Sequence, residues 1–298
     1  MNQNIYTGRE IAIFTDSHGM LEPTEAALQD ISRRGISEIY SLGDNIGVGP
    51  NPKEVMDLLN EYGVISISGN SEEYSNLGIE PFSSYFRTAK KQSFAWTISK
   101  LDERQIGEMK MLPHSIELLV GGQKLALCHF PNDVRFDFGM HGSTWSYQDS
   151  IRRYGHGYEQ FLYTNSPEQK DEMAHILETY GKDSPMMRGY LSAEDDPLFA
   201  GKRVDFFDAV IFGHVHFKIY EQSDSTNFYS IRAVGMAYGK DPIDTSSYVI
   251  LKEKADNKGF DLEEVLVQYD RDRLLYHILT SDSPDKTIER FAEVGRTI

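Results

Sequence analysis

The chain reads as an α/β protein organised around a parallel sheet, and three observations point there. Short apolar runs ending in Gly, Asp, His or Asn alternate with helical patterns over residues 11–70, and strands that alternate with helices imply parallel neighbours. The 298 residues, 40% of them hydrophobic, suffice for one large α/β domain with a sizeable insertion. Beyond residue 203, consecutive apolar runs separated by turn residues predict an antiparallel second sheet.

Taken in order, Ile11–Phe14 is a buried central strand, and buried strands of α/β proteins direct their C-terminal ends at the functional crevice. Asp16 and His18 follow it two residues apart. Alternate residues of an extended segment face the same way, so both side chains can reach one metal ion. A helix runs from about Glu22 to Arg34, with Leu28 and Ile31 on one face and Gly35 as its stop. Ile36–Leu42 is a second strand leading to Asp44, and Pro52–Glu61 a second helix. Val64–Ser68 is a third strand leading to Asn70. Three strand ends in a row thus carry a residue able to bind metal.

Phe82 to about Leu112 is mostly helical, with Trp96, Ile98 and Ile106 as core. Ile116–Val120 and Lys124–Cys128 form a hairpin around Gly121-Gly122 and run into His129. The pattern loosens between Pro131 and Arg203, predicting a cap-like insertion at about 131–203 within a single domain of residues 1–298. Asp208–Phe212 is another buried strand, ending in Gly213-His214-Val215-His216. Phe217–Glu221, Phe228–Val234, Ser247–Leu251 and Leu262–Tyr269 follow as the strands of the second sheet. Asp270–Leu279 and Pro284–Val294 are terminal helices.

The formal net charge is −16 and the pI about 5.0. Such a field repels DNA and RNA, whereas a small phosphate substrate can bind where local cations prevail. Cys128 is the single cysteine, which excludes an intrachain disulfide and suits a reducing compartment. Residues 1–10 lack an apolar signal core, and no stretch approaches the roughly 18 apolar residues of a membrane span. A cytoplasmic protein without membrane contact is expected.

Asp16, His18, Asp44, Asn70, His129, His214 and His216 offer two carboxylates, four imidazoles and one amide. That mixture suits two transition-metal ions better than Ca or Mg. The two imidazoles of Gly213-His214-Val215-His216 lie on one side of an extended segment, where each can serve a different ion. A carboxylate shared between the ions, with Asp44 as candidate, would hold them about 3.5–4 Å apart. Ions so placed turn a bridging water into hydroxide at neutral pH and neutralise a phosphoryl group under in-line attack. A dinucleotide-binding reading fails, because Gly47-Val48-Gly49 is followed by Pro50, Asn51 and Pro52 without the third glycine.

Asp16-Ser17-His18, Gly43-Asp44-Asn45, Gly69-Asn70-Ser71, Cys128-His129-Phe130 and Gly213-His214-Val215-His216 occur in that order. Together they resemble the calcineurin-like metallophosphoesterase superfamily, and residues 43–52 are similar to its small bacterial phosphodiesterase and phosphatase branch. The resemblance implies a four-layer α/β/β/α sandwich of two mixed sheets flanked by helices. It implies Asp16, His18, Asp44 and His216 for one metal ion, and Asp44, Asn70, His129 and His214 for the other. Mn, Fe or Zn are the expected ions, Mn or Fe favoured. Asp44, Asn70 and His214 are the residues placed in the catalytic role.

Two departures stand out. The family usually has a histidine after the Asn of Gly-Asn-His-Asp/Glu, taken to protonate the leaving group or steady the transition state; this chain has Ser71, followed by Glu72. Ser71 cannot act as that acid. Either the leaving group is already good or the insertion supplies the proton, with His141 and His156 as candidates. Ala233-Val234-Gly235-Met236 stands where small relatives often have Asn-Pro-Gly-Ser. Arg135, Arg152, Arg153 and Arg188 of the insertion are candidate phosphate clamps, and Trp145, Tyr147, Tyr154 and Tyr158 candidate stacking platforms. His114, His175 and His277 show no metal spacing and read as structural.

The expected activity is metal-dependent hydrolysis of a phosphodiester, phosphomonoester or phosphoanhydride, the substrate being a small phosphate ester or nucleotide. The alternative is a non-catalytic metal-binding scaffold on the same fold, which Ser71 keeps in play. Self-association is left open.

Overall fold

Strand β1 (Glu10–Phe14) is buried on both faces, and its alternate side chains enter two different cores. Ile11 and Ile13 pack between two sheets, while Ala12 and Phe14 face a layer of helices. The computed structural model describes residues 9–77, 88–129, 206–214, 216, 218–222, 225–235, 244–255 and 258–284. The predicted insertion at 131–203 and the helix over Pro284–Val294 lie outside the described residues, apart from Pro284 itself.

After β1 come α1 (Leu21–Arg33), β2 (Ile39–Ser41), α2 (Pro52–Glu61), β3 (Ile65–Ser66) and α3 (Asn70–Leu77). Next are α4 (Thr88–Lys100), α5 (Glu103–Lys110) and the hairpin of β4 (Ser115–Val120) and β5 (Gln123–Cys128). The chain closes with β6 (Ala209–Phe212), β7 (Ile219–Gln222), β8 (Asn227–Ser230), β9 (Thr245–Glu253), β10 (Phe260–Gln268) and α6 (Arg271–Thr280). Helix α2 starts with Pro52, where the missing amide hydrogen costs nothing. Asp102 and Gln105 cap α5 reciprocally, each side chain accepting from the other's backbone N–H.

Both sheets are mixed. One has the order β10-β9-β1-β2-β3, the other β4-β5-β6-β8-β7. Strands β1, β2 and β3 are parallel neighbours, as are β5, β6 and β8. The expectation that the last four strands form one antiparallel sheet is corrected. Strands β7 and β8 pair antiparallel and join β6, whereas β9 and β10 form a hairpin whose β9 edge pairs antiparallel with β1. Burial explains the division. Ser246 to Leu251 are buried without interruption, so β9 needs neighbours on both sides and cover on both faces.

Helix α1 lies across β9 and β10 and touches α2 and α6. Ala27, Leu28 and Ile31 of α1 join Val55, Met56 and Leu59 of α2 against Phe14, Tyr248 and Ile250. Between the sheets, Ile11, Ile13 and Leu251 meet Leu125, Leu127, Ile211 and Phe212. Trp96 departs from its expected core role: it is half-buried, and its indole N–H donates to Asp282 at 2.9 Å. Ile98 and Ile106 do pack against the helix-side core. No helix among the described residues is long and apolar enough to cross a membrane.

Candidate metal centre

Asp16 and His18 follow β1, Asp44 follows β2, and Asn70 opens α3 just beyond β3. His129 follows β5, and His214 and His216 follow β6. Parallel neighbours end on the same side, so the two sheets bring seven residues from distant stretches to one edge of the sandwich.

The backbone there is not extended, contrary to expectation. Asp16, His18, Asp44, His214 and His216 all have positive φ, between 48° and 66°. Non-glycine residues adopt this region at a cost of order 1–3 kcal/mol, and it persists where surrounding contacts enforce it. Here the Asp16 N–H donates to the Gly43 carbonyl at 3.0 Å and the His18 N–H to the Asp44 carbonyl at 2.8 Å. Gly213 lies so close to Thr15 and Asp16 that a Cβ on it would overlap the Thr15 hydroxyl. The two histidines of the β6 loop nevertheless serve different groups, as expected.

The first group is Asp16, His18 and His216. Asp16 Oδ2 accepts from the Thr15 hydroxyl at 2.7 Å and from the His214 N–H at 2.8 Å. Its buried partner oxygen, Oδ1, receives no hydrogen bond among the described residues and faces His216 Nε2 at 3.2 Å and His18 Nε2 at 3.6 Å. The two Nε2 atoms are 3.1 Å apart. Ligands bonded to one ion at ~2.1 Å stand ~3.0–3.4 Å from each other; two sides of this triangle match that spacing and the third, 3.6 Å, is slightly longer.

The second group is Asp44, His129 and His214. His129 Nδ1 donates to the Leu42 carbonyl at 2.8 Å, which leaves Nε2 as the lone-pair nitrogen of the neutral ring. Around Nε2 stand Asn70 Oδ1 at 3.1 Å, His214 Nδ1 at 3.1 Å and Asp44 Oδ1 at 3.5 Å. Asp44 lies between the groups, its other oxygen 3.7 Å from His18 Nε2. Lone pairs converging at two points, with the carboxylates buried, fit two cations.

Electrostatics favour a cation at the two carboxylates and His214, whereas His129 would have to give up a proton to ligate. Burial pushes the Asp16 carboxyl up, but His216, His129 and His18 hold it below the usual range. Burial likewise opposes ionisation of Asp44, and His129 and His18 overcome it against the repulsion of Asp16. Burial, then the neighbouring His129, lowers His214 to about 3, so it presents an unprotonated nitrogen at neutral pH. For His129, burial is outweighed by Asp44, Asp16 and Glu72, which raise it.

Glu72 is the residue that sequence reasoning quoted without a role. It is fully buried, and its carboxylate accepts from the backbone N–H groups of Asp44, Asn45, Ile46 and Gly69. Burial and the nearby Asp44 push it up to about 7. A Cβ on Gly69 would overlap the Asp44 amide and carboxylate, so the two loops touch backbone to backbone. The signal for Glu72 was its place two residues beyond Asn70.

Ser71 donates its backbone N–H to Asp44 Oδ1 at 2.7 Å. It is 2% exposed, with its hydroxyl beside Gly47. Val234 and Gly235 back the first group, their N–H groups donating to the Thr15 and Asp16 carbonyls at 2.9 and 3.3 Å. His277 pairs with buried Glu22 at 2.8 Å, away from both groups. Arg135, His141, Trp145, Tyr147, Arg152, Arg153, Tyr154, His156, Tyr158, His175 and Arg188 lie outside the described residues.

Residues 10–256 match the family model described as the calcineurin-like phosphoesterase superfamily domain. An uncharacterized protein of Methanocaldococcus jannaschii is 27% identical over 289 residues, which span 94% of this chain and 96% of that protein. A metallophosphoesterase from Sphaerobacter thermophilus has a similar structure, with a TM-score of 0.58 at 19% identity over 96% of this chain and 98% of the other. A hypothetical protein from Pyrococcus horikoshii OT3 gives 0.62 at 13% identity over 95% and 97%. At such identities the structural likeness speaks for the fold.

Proposed function

We propose, from the premise that this chain belongs to the calcineurin-like phosphoesterase superfamily, that it hydrolyses a small phosphate ester or anhydride, nucleotides included, at a dinuclear metal centre. The observation that carries the reading is Asp44, which turns one carboxylate oxygen toward each ligand group. Two transition-metal ions, when bound, supply a water of lowered pKa and neutralise the phosphoryl oxygens.

The chain's own residues fix where this happens. Asp16, His18, Asp44 and His216 would hold one ion, and Asp44, Asn70, His129 and His214 the other. Thr15 and the His214 N–H orient Asp16, leaving its second oxygen free to ligate. The Leu42 carbonyl keeps a His129 proton on Nδ1, so Nε2 would be the ligating nitrogen. Asp44, Asn70 and His214 would hold the second ion, which when bound would neutralise a phosphoryl oxygen. Arg135, His141 and His156 are the proposed substrate contacts from the insertion, with Ser71 beside the scissile position.

The test is to load purified protein with Mn²⁺, measure bound metal, and assay bis-p-nitrophenyl phosphate against p-nitrophenyl phosphate. Turnover that follows metal content is expected, and the better substrate separates diesterase from monoesterase. A protein holding two ions that cleaves neither these esters nor nucleoside and dinucleoside polyphosphates would be the non-catalytic scaffold.

A further inference from the structure

Behind the metal centre, one side chain joins the ends of two strands. Glu72 Oε2 accepts from the N–H groups of Asp44 at 2.9 Å and Gly69 at 2.8 Å, and Oε1 from Asn45 at 2.7 Å and Ile46 at 3.4 Å. The loop after β2 and the loop after β3 are thereby clipped to each other. Asp44 sits in that clip with φ of 52°, a conformation its own backbone disfavours.

The chemistry of the clip is selective. A carboxylate presents acceptors on both oxygens, whereas a glutamine would turn an NH₂ toward backbone donors. An aspartate is a methylene too short to reach as far. Burying a second carboxylate near Asp44 is unfavourable unless it is hydrogen-bonded, and here backbone amides bond it.

We propose that Glu72 is a positioning residue of the centre: by gripping the backbone of both loops it holds Asp44 and Asn70 at the spacing that lets one carboxylate serve two ions. It touches neither metal nor substrate and acts through those two ligands. The inference rests on the dinuclear reading above.

The full-length chain is tested as wild type, Glu72→Gln and Glu72→Asp. Circular dichroism reports the fold, calorimetric Mn²⁺ titration the two affinities, and electron paramagnetic resonance the spin-coupled Mn pair. Steady-state kinetics on bis-p-nitrophenyl phosphate report kcat and KM. Glu72→Gln is expected to keep its fold and to weaken the ion beside Asp16, His18 and His216 less than the other, since only Asp44 is shared with it. The other ion should bind about 10–100-fold more weakly, a range typical when a group that orients metal ligands is lost. The coupled signal should disappear, and kcat should fall with little change in KM. Glu72→Asp, which restores the carboxylate, should recover part of the second affinity. Two variants that bind both ions like wild type, with the coupled signal intact, would overturn the inference alone. Two variants that fail to fold would also overturn it, making Glu72 a residue of the fold. A wild type without a coupled pair would overturn the dinuclear reading itself.

Discussion

Asn70 Oδ1 and His129 Nε2 lie 3.1 Å apart, and with a neutral ring neither atom has a proton to offer the other. The ring proton is on Nδ1, held by the Leu42 carbonyl. Two acceptors at this distance repel unless a metal ion stands beside both or a second ring proton lies between them. The purified protein, supplied with Mn, Fe or Zn, should therefore hold close to two ions per chain. Each ion at a hundredfold excess over its Kd should stabilise the fold by about 2.7 kcal/mol, visible as a drop in Tm on chelation. Metal analysis that finds the protein empty and inactive after Mn²⁺ addition would sink this.

Asp44 faces both groups, whereas His18 belongs to one. Asp44→Asn should consequently disturb both ions, and His18→Ala mainly the ion beside Asp16 and His216. Bound metal per chain, measured after dialysis, should fall further in Asp44→Asn. Full occupancy in that variant would show that Asp44 is not the bridge.

The seven candidate ligand positions were legible because they follow apolar runs, and buried parallel strands place their ends together. Helix α2 was legible to its bounds from Pro52 and the spacing of Val55 and Leu59. The partition of the last strands was not, since an apolar run does not name its partner. Helix α3 was missed because Asn70-Ser71-Glu72-Glu73 has too few apolar residues for periodicity to register. Glu72 was given no role because it works on backbone amides, which every residue carries. The left-handed backbone of Asp16, His18, Asp44, His214 and His216 escaped because non-glycine side chains do not advertise positive φ.

Tyr248 donates its hydroxyl to Asp30 Oδ2 at 2.7 Å and ties β9 to α1. Burial raises the Asp30 carboxyl, but Arg34, Tyr248 and Arg33 donate to it and bring it down to about 2. A carboxyl depressed from 3.8 stabilises the fold above that pH, and the contribution is lost as pH falls through about 2. Tyr248→Phe should cost about 1 kcal/mol at neutral pH, the net worth of one such hydrogen bond. In urea melts the gap to wild type should narrow between about pH 4 and about pH 2. A gap that stays constant over that window would show that Asp30 is not the partner in solution.

Ser71 carries no imidazolium, and its hydroxyl is packed beside Gly47. The leaving oxygen must then depart largely unassisted unless the insertion supplies a proton. Rates should depend steeply on leaving-group pKa, with aryl diesters and phosphoanhydrides cleaved well and simple alkyl esters poorly. General acid catalysis contributes about 10²–10⁴-fold where the leaving group needs a proton. Ser71→His should therefore help alkyl esters more than aryl ones, provided circular dichroism shows that the loop around Gly47 makes room for the ring. If His141 or His156 is the acid, its alanine variant should lose alkyl-ester activity while keeping aryl-ester activity. Similar chemical-step rates for alkyl and aryl esters in the wild type, together with indifference to both histidine substitutions, would refute the unassisted-departure argument.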